Sequence, residues 1–278
     1  MRILLTGASG FVGRQVLQAL SAQPCELHLV LRERTGPWPD DITASGAKIT
    51  TSPDLFAETA QWWADTCKGV DLIVHLAWYA EPGKYQLSPK NLDCLSGTLA
   101  MAQGAVQAGV KRFVGIGTCA EYDLSAGFMS AQSTPLKPST PYAAAKAAAY
   151  LALSQALARQ GMSFAWARLF YLHGEGEDSR RLVAYLRSKL AVGEVAELSG
   201  GTQIRDFLDV REAARQIVDL ALSERQGAFN VCSGVPVTVR QLAESIADEY
   251  GQRDLLKFGI RAAGAFDPPC VVGQRDVL

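Results

Sequence analysis

Residues 6–13 of the chain read TGASGFVG and follow the short apolar segment MRILL. Gly7 can take the positive φ of a tight turn, Gly10 lets the backbone approach a pyrophosphate, and Gly13 lets a helix pack closely on the strand. The following helix would present free N–H groups and the positive end of its dipole to phosphates. The spacing is G-x-x-G-x-x-G, so alone it is compatible with a dinucleotide loop or with a plain strand-to-helix turn.

Apolar segments rich in β-branched residues alternate with helical segments as far as residue 171. Strands are predicted at RILLT (2–6), ELHLVLR (26–32), DLIVHLAW (71–78), RFVGIGT (112–118) and SFAWARLFY (163–171). Helices are predicted at FVGRQVLQALSA (11–22), TLAMAQGAVQAG (98–109) and YAAAKAAAYLALSQALARQ (142–160). Short strands regularly separated by helices indicate βαβ units and a parallel sheet covered on both faces. The predicted fold class is therefore α/β, a Rossmann-type doubly wound parallel sheet.

The character of the chain changes after residue 173, where the polar, glycine-rich segment GEGEDSRR (174–181) begins. A helix, a short strand region and two further helices are predicted beyond it. We expect residues 1–173 to form a Rossmann domain with the catalytic residues, and residues 174–278 to form a smaller substrate-binding lobe. Some strands and helices of this lobe are expected to return to the first domain.

The composition is that of an ordinary globular protein, with 278 residues, 48% hydrophobic, 20% charged and a net charge of −1. Because no block of lysine or arginine is present, nucleic acid is not expected as a partner. No apolar run reaches about 18 residues and no signal-peptide pattern is visible, so the sequence predicts no membrane span and a cytoplasmic location. Six scattered cysteines and three histidines lack metal-ligand spacing, which predicts free thiols and no metal site.

The end of the second predicted strand bears on the choice of cofactor. A free ribose 2′-hydroxyl is usually met there by Asp or Glu, and a 2′-phosphate by Arg. The chain reads VLRERTG (30–36), with Arg32 and Arg34 on either side of Glu33. Two guanidinium groups can fork onto one phosphate, so the pattern favours NADP(H). NAD(H) stays open, with Glu33 taking the ribose and the arginines solvated.

Tyr142 and Lys146 lie four residues apart in PYAAAK, residues 141–146. On one helix this spacing puts both side chains on the same face. A cation beside a phenol stabilises the phenolate and lowers its pKa, so Tyr142 is a candidate acid or base at a carbonyl or alcohol. An amphipathic helix with one exposed lysine gives the same spacing, and in isolation that interpretation is favoured because Tyr-x-x-x-Lys occurs by chance.

Seven stretches, in a fixed order along the chain, carry a resemblance to a known family. They are TGASGFVG (6–13), HLAW (75–78), RFVGIGTCAEY (112–122), PYAAAK (141–146), RLFYLHGEG (168–176), RDFLDVREAA (205–214) and GAFNVCSGVPVTVRQLAESIA (227–247). In these stretches the chain resembles the extended short-chain dehydrogenases/reductases, the NAD-dependent epimerase/dehydratase family of nucleotide-sugar epimerases, dehydratases and 4-ketoreductases. The resemblance implies an NAD(P)-dependent enzyme, a nucleotide-diphosphate sugar as substrate, and a homodimer formed through two long helices.

The resemblance also implies roles for individual residues. Thr118 would hydrogen-bond the substrate oxygen beside Tyr142, and Lys146 would hold the nicotinamide ribose, so these three residues are the expected catalytic group. The residues expected to bind the cofactor are Gly7, Ser9, Gly10, Phe11, Val12, Gly13, Arg32, Arg34, Asp54, Leu76, Ala77 and Lys146. The residues expected to bind the substrate are Trp78, Tyr79, Thr118, Tyr142, Tyr171, Arg205 and Arg261, with the two arginines at its diphosphate. For Trp78 and Tyr79 a position at the edge of the core stays open.

Departures from the family pattern narrow the expected reaction. The dehydratases carry Asp-Glu directly after the Thr, where this chain has Cys119 and Ala120, so 4,6-dehydration lacks its acid–base pair. The favoured function is NADPH-dependent reduction of a nucleotide-linked 4-keto-6-deoxy sugar by hydride transfer, with Tyr142 as the proton donor and Lys146 lowering its pKa. A nucleotide-sugar 4-epimerase that retains NAD(P), a reductase of a non-sugar carbonyl and a non-catalytic NADP-binding protein stay open.

Overall fold

A parallel sheet forms the centre of the computed structural model, which describes residues 1–33, 37–262 and 267–276. In chain order the strands are β1 (Arg2–Thr6), β2 (Glu26–Arg32), β3 (Lys48–Ser52), β4 (Leu72–His75), β5 (Arg112–Thr118), β6 (Phe128–Met129), β7 (Ser163–Leu169), β8 (Tyr171–His173), β9 (Ala196–Glu197), β10 (Ile204–Asp209), β11 (Gly227–Val231), β12 (Pro236–Thr238), β13 (Leu256–Lys257) and β14 (Cys270–Gly273). The helices are α1 (Phe11–Ser21), α2 (Asp40–Ala44), α3 (Ala60–Thr66), α4 (Lys90–Gln107), α5 (Pro141–Arg159), α6 (Leu182–Ala191), α7 (Val210–Leu222) and α8 (Val239–Tyr250).

Seven strands pair in the order β11-β7-β5-β4-β1-β2-β3. Every pairing in this sheet is parallel. The strand order reverses between β1 and β4, and in doubly wound sheets this point opens a crevice at the carboxyl ends of the strands, where ligands bind. The predicted Rossmann-type fold class is confirmed.

Apolar side chains cover both faces of the sheet, which explains why its strands read as nearly continuous apolar runs. On one face α1 and α7 pack together through Val16, Leu17, Leu20 and Ile217. On the other face lie α3, α4 and α5, where Trp63 is fully buried with the apolar residues of β5 and β7. The glycine loop and the PYAAAK segment are therefore held by helices on opposite faces of one sheet.

The part of the chain after residue 173 builds both a separate apolar cluster and pieces of the main sheet. Helices α6 and α8 enclose their own core around Leu186 and Ile246. Helix α8 begins with a reciprocal cap between Thr238 and Gln241, and it is closed by Gly251, which follows its last residue with a φ of +65°. A second sheet has the order β12-β10-β14-β6, and β8 pairs with β10. The division into two domains at residue 173 stays a prediction.

Within the described residues, no helix combines the length and the apolarity needed to cross a bilayer. The six cysteines are free thiols, four of them buried.

Candidate active site

The glycine loop is packed tightly between the end of β4 and the first turn of α1. Gly7 has a φ of +75°, and a Cβ there would lie 2.7 Å from the backbone nitrogen of Ala77. A Cβ on Gly13 would lie 1.9 Å from the carbonyl oxygen of Gly7. The Gly10 N–H donates to this same oxygen at 3.0 Å. The conformation therefore requires glycine at positions 7 and 13, whereas a Cβ on Gly10 would lie 3.3 Å from that oxygen.

The amino end of α1 fits the phosphates of a dinucleotide. Gly10 is the N-cap residue in an extended conformation, and no side chain caps the helix. Ser9 and Gly10 are exposed, while Phe11 and Val12 are half-buried. Uncapped N–H groups at the positive end of a helix are suited to an anion, and the absent Cβ of Gly10 leaves room for it. Residues 9–13 would therefore hold the pyrophosphate of the cofactor.

The other predicted cofactor residues lie along the same edge of the sheet. Arg32 is the last residue of β2 and is exposed, and the N–H of Glu33 donates to the carbonyl of Ser52 at 2.9 Å. Asp54 follows β3, where its carboxylate accepts the Phe56 N–H at 3.0 Å. Arg34 lies outside the described residues. The carboxyl ends of β2 and β3 therefore frame the side of the crevice next to β1.

Leu76 and Ala77 lie directly after β4 and are tied to the glycine loop through Thr6. The Thr6 hydroxyl accepts the Ala77 N–H at 3.2 Å and is hydrogen-bonded to Nδ1 of His75 at 2.8 Å. His75 is buried, and its Nε2 is hydrogen-bonded to Thr98 at 2.9 Å. Burial, with a smaller contribution from Lys146, lowers the pKa of His75 to about 3, so the ring is neutral. Its two hydrogen bonds connect β4 to β1 through Thr6 and to α4 through Thr98.

Tyr142 and Thr118 meet at the carboxyl end of β5. Helix α5 begins at Pro141 because the Thr140 side chain accepts the Ala143 N–H at 3.2 Å and proline is favoured in the first turn. Tyr142 is thereby the second residue of the helix, and its phenol lies near the Thr118 side chain. Thr118 is the last residue of β5. The structure thus brings together two of the three predicted catalytic groups.

Lys146 lies one turn further along α5 and is buried. Its Nζ donates to the carbonyl oxygen of Ile116 at 2.6 Å and lies 3.8 Å from the centre of the Trp78 ring. Burial lowers the pKa of Lys146 to about 7. The shared helix face predicted from the spacing is present, and the three catalytic candidates converge beside Trp78.

The pKa of Tyr142 differs from the expectation. The sequence predicts a lowered pKa for Tyr142, whereas burial, followed by the nearby Tyr85 and Glu121, raises it. The reason is that the Lys146 ammonium is directed to the Ile116 carbonyl and the Trp78 ring, so that desolvation of the phenol dominates. Tyr142 is therefore a neutral phenol over the ordinary pH range, which is the form that can donate a proton.

Trp78 is fixed in the site by a buried amide that the sequence analysis did not identify. Its Nε1–H donates to Oδ1 of Asn91 at 2.9 Å, and Nδ2 of Asn91 donates to the carbonyls of Tyr85 and Ser88 at 2.7 and 2.9 Å. The rings of Tyr85 and Tyr142 are 4.7 Å apart, edge to face. Trp78, Tyr85 and Tyr142 thus form an aromatic wall.

Tyr79 points to a different environment from Trp78. Its hydroxyl donates to Glu81 at 2.9 Å and the Nζ of Lys90 lies 4.8 Å from its ring centre. Its N–H donates to the sulfur of Cys94 at 3.4 Å, which shows the thiol accepting a structural hydrogen bond on α4.

A cavity of about 250 Å³ holds two of the predicted substrate residues, Tyr171 and Arg205, together with Arg181 and Phe207. The guanidinium of Arg205 lies 5.3 Å from the Tyr171 ring centre. Arg205 is buried and already engaged, with an ion pair to Asp267 and a hydrogen bond to the carbonyl of Ile204 at 2.7 Å. A diphosphate at this cavity would therefore compete with Asp267 for Arg205.

Arg261 is not brought to this cavity. It is exposed and donates to the Tyr185 hydroxyl on α6 at 3.0 Å, with its guanidinium 4.5 Å from that ring centre. Across the described part of the chain, no group of three or more His, Cys, Asp or Glu side chains is arranged to hold a metal ion.

Comparison with known proteins identifies the family. A model of the NAD dependent epimerase/dehydratase family matches residues 3–232, which is most of the chain. The chain is 26% identical over 277 residues to the dTDP-6-deoxy-L-talose 4-dehydrogenase (NAD(+)) of Aggregatibacter actinomycetemcomitans, with 99% of this chain and 100% of that protein covered. The chain therefore belongs to the NAD dependent epimerase/dehydratase family.

Two solved structures are also similar to the chain. The UDP-N-acetylglucosamine 4-epimerase from Methanobrevibacter ruminantium M1, in complex with UDP-N-acetylmuramic acid, matches with a TM-score of 0.84 at 22% identity, covering 99% of this chain and 89% of that one. MoeE5, in complex with UDP-glucuronic acid and NAD, matches with a TM-score of 0.77 at 27% identity, covering 99% and 90%. The predicted family, and an enzyme that is an NAD(P)-dependent oxidoreductase or epimerase, are confirmed.

Proposed function

We propose that this nucleotide-sugar-modifying enzyme reduces a nucleotide-linked 4-keto-6-deoxy sugar with NADPH. The observation that carries the proposal is the convergence of Thr118, Tyr142 and Lys146 at the carboxyl edge of the sheet, between the glycine loop and the cavity of Arg205. The chemistry of the similar 4-dehydrogenase supports it, because oxidation of a 4-hydroxyl run backwards is reduction of a 4-keto group.

The surroundings of each proposed catalytic side chain indicate its role in the reaction. The Thr118 hydroxyl would donate to the 4-oxygen and hold it next to Tyr142. The neutral phenol of Tyr142 would give its proton to that oxygen, so that the O–H bond of the phenol breaks as the alcohol forms. To stabilise the phenolate left behind, the charged form of Lys146 would turn its ammonium from the Ile116 carbonyl toward the phenol. When bound, the nicotinamide ring supplies the hydride.

The residues after Thr118 support reduction over 4,6-dehydration. Cys119 is buried in an apolar cluster with Tyr122 and Phe170. Burial raises the pKa of the Cys119 thiol to about 12, so it stays protonated and is a poor base at neutral pH. The next residue is Ala120, which carries no ionisable group.

The function is tested by incubating the protein with NADPH and a panel of nucleotide-linked 4-keto-6-deoxy sugars while the NADPH absorbance is followed. We expect consumption of NADPH with one nucleotide and one sugar preferred. Interconversion of 4-hydroxy sugars without net loss of NADPH, with a cofactor retained through purification, would instead identify a 4-epimerase. No turnover with any sugar would contradict both assignments.

The cofactor preference is proposed to depend on the arginines that follow β2. Arg32 is exposed at the carboxyl end of that strand, the place where arginine commonly meets a 2′-phosphate in this type of fold. Replacing Arg32 and Arg34 together by alanine is expected to weaken NADPH binding about 10- to 100-fold, since hydrogen bonds to charged groups contribute about 1.5–3 kcal/mol. NADH binding should change much less. Fluorescence titration of both cofactors measures this.

A matched control is Arg14→Ala, which removes an exposed arginine of α1 that pairs with Asp41 at 2.8 Å. It should leave both affinities unchanged. Equal losses of NADPH and NADH in the double alanine variant would show that the arginines do not read the 2′-phosphate.

A further inference from the structure

A buried ionic cluster lies beneath Thr118, Tyr142 and Lys146, and none of its side chains is a proposed proton donor or ligand of the substrate. Glu121 and Arg168 form an ion pair at 2.7 Å, with 0% of the Glu121 side chain and 2% of the Arg168 side chain exposed. The Arg168 guanidinium lies 4.6 Å from the ring centres of both Tyr122 and Tyr150. The carboxylate of Glu121 is therefore fully enclosed, away from solvent.

The carboxylate of Glu121 holds the end of β5 in place. Its Oε1 accepts the N–H of Thr118 at 2.9 Å and the Nε1–H of Trp166 at 3.0 Å. In return the Thr118 hydroxyl accepts the Ala120 N–H at 3.3 Å, which closes a reciprocal cap on the short turn at residues 119–121. The position of the Thr118 hydroxyl is thus set from both sides.

Two glycines of β5 leave the space that this cluster occupies. A Cβ on Gly117 would lie 2.2 Å from Nε1 of Trp166 and 2.4 Å from Oε1 of Glu121. A Cβ on Gly115 would lie 2.3 Å from the Trp166 ring. Glycine at both positions of β5 therefore allows the indole to lie flat on the strand and reach the carboxylate.

Trp166 also connects the cluster to the catalytic lysine. The Nζ of Lys146 lies 5.8 Å from the centre of the Trp166 ring, whose Nε1–H is bonded to Glu121. We propose that Glu121 is a positioning residue, which fixes the Thr118 end of β5 and sets its buried negative charge against the Lys146 ammonium. The effect of Glu121 on turnover rests on the proposed function, whereas its effect on the charge of Lys146 does not.

The groups around Lys146 come from every element packed against it. They are Cys94 of α4, His75 of β4, Tyr142 of α5 and the ion pair of Glu121 with Arg168 of β7. His75 is neutral because its pKa is about 3, and the Tyr142 phenol is neutral because its pKa is raised. Burial lowers the pKa of Lys146 to about 7, and Glu121 is the largest influence opposing that fall.

The sign of the effect follows from these influences. Lys146 is charged below its pKa, so loss of the Glu121 charge lowers the pKa further and confines the ammonium form to lower pH. In the Glu121→Gln variant the side chain keeps an oxygen for the Thr118 N–H but loses its charge. We expect the titration midpoint of Lys146 to fall by about one pH unit or more, as for removal of an opposite charge nearby.

The measurement is an NMR pH titration of protein labelled with ¹³C and ¹⁵N in its lysines, with the Lys146 signal identified by its loss in Lys146→Met. It requires no substrate, so its failure is distinct from failure of the proposed reaction. Asp206→Asn is the matched control, because Asp206 is also a fully buried carboxylate that accepts backbone N–H groups, from Ser233 at 2.7 Å and Gly234 at 2.9 Å. An unchanged midpoint in Glu121→Gln, or an equal fall in Asp206→Asn, would overturn the electrostatic part.

A second variant tests the positioning part and covers the case in which Glu121→Gln does not fold. Glu121→Asp keeps the charge but is one methylene too short for the Thr118 N–H. With substrate and NADPH we expect a kcat lowered about 10-fold with KM unchanged, because the misplaced group acts only on the reacting oxygen. Its Lys146 midpoint should remain that of the unaltered protein. A wild-type kcat in Glu121→Asp would contradict the assignment.

Discussion

A Tyr142→Phe variant is expected to lose turnover by about 10²- to 10⁴-fold, the contribution typical of a positioned general acid. The change removes only the phenolic oxygen, which lies near the Thr118 side chain. The ring contacts with Tyr85 and Trp78 are retained, so the aromatic wall should keep its shape. Initial rates of NADPH consumption at saturating substrate measure the loss.

Cofactor binding should survive in the same variant, because the glycine loop is held by β1, α1 and the end of β4 rather than by the phenol. The matched control is Tyr150→Phe, which removes a hydroxyl two turns further along α5, where the ring packs near Trp166 at 6.2 Å. That variant should turn over normally. Unchanged kcat in Tyr142→Phe would refute the role of proton donor.

A Gly13→Ala variant is expected to unfold the nucleotide-binding edge or to destabilise the protein by about 3 kcal/mol, the upper range for overpacking. The new Cβ would lie 1.9 Å from the backbone oxygen of Gly7. Since that neighbour is backbone, the contact can be relieved only by moving α1 away from β1. Urea denaturation measures the loss of stability, and cofactor titration should show that binding is lost with it.

Gly10→Ala is the matched comparison for Gly13→Ala, because it separates loss of cofactor binding from loss of stability. The Cβ at position 10 would meet only the Gly7 oxygen, at 3.3 Å, so stability should fall by no more than about 1 kcal/mol, as for alanine at a helix N-cap. Affinity for NADPH should nevertheless fall at least about 10-fold, because the methyl group would occupy the place proposed for the pyrophosphate. Normal cofactor affinity in Gly10→Ala would contradict the proposed phosphate site.

Local pattern predicted the elements of the fold with close boundaries. The strands expected at 2–6, 26–32 and 112–118 are β1, β2 and β5, and the helix expected from 142 is α5. These elements could be predicted because the pattern within each segment is sufficient. The strands are continuous apolar segments, and the helix is rich in alanine and has a recognisable start signal. Spacing also predicted correctly that Tyr142 and Lys146 share a helix face.

The ion pairs between residues far apart in the sequence could not be predicted in the same way. Glu121 pairs with Arg168, 47 residues away, and Arg205 pairs with Asp267, 62 residues away. Periodicity indicates which residues are buried but not which polar group will meet them. The pKa of Tyr142 could not be predicted for the same reason. The four-residue spacing places Tyr142 and Lys146 on one helix face, but the direction of the Lys146 ammonium is set by its hydrogen bond to the Ile116 carbonyl, which is distant in sequence.

The order of strands has a consequence for synthesis on the ribosome. β2 joins β1, β3 joins β2, and β4, β5, β7 and β11 then extend the other side one after another. Each strand of this sheet therefore adds to an edge that already exists as the amino-terminal part emerges first. Helix α1 is the exception, because its apolar face is covered by α7, which ends at residue 222. A nascent chain that stops short of α7 lacks this cover for Val16, Leu17 and Leu20, so part of the apolar face of α1 stays exposed until α7 has been made.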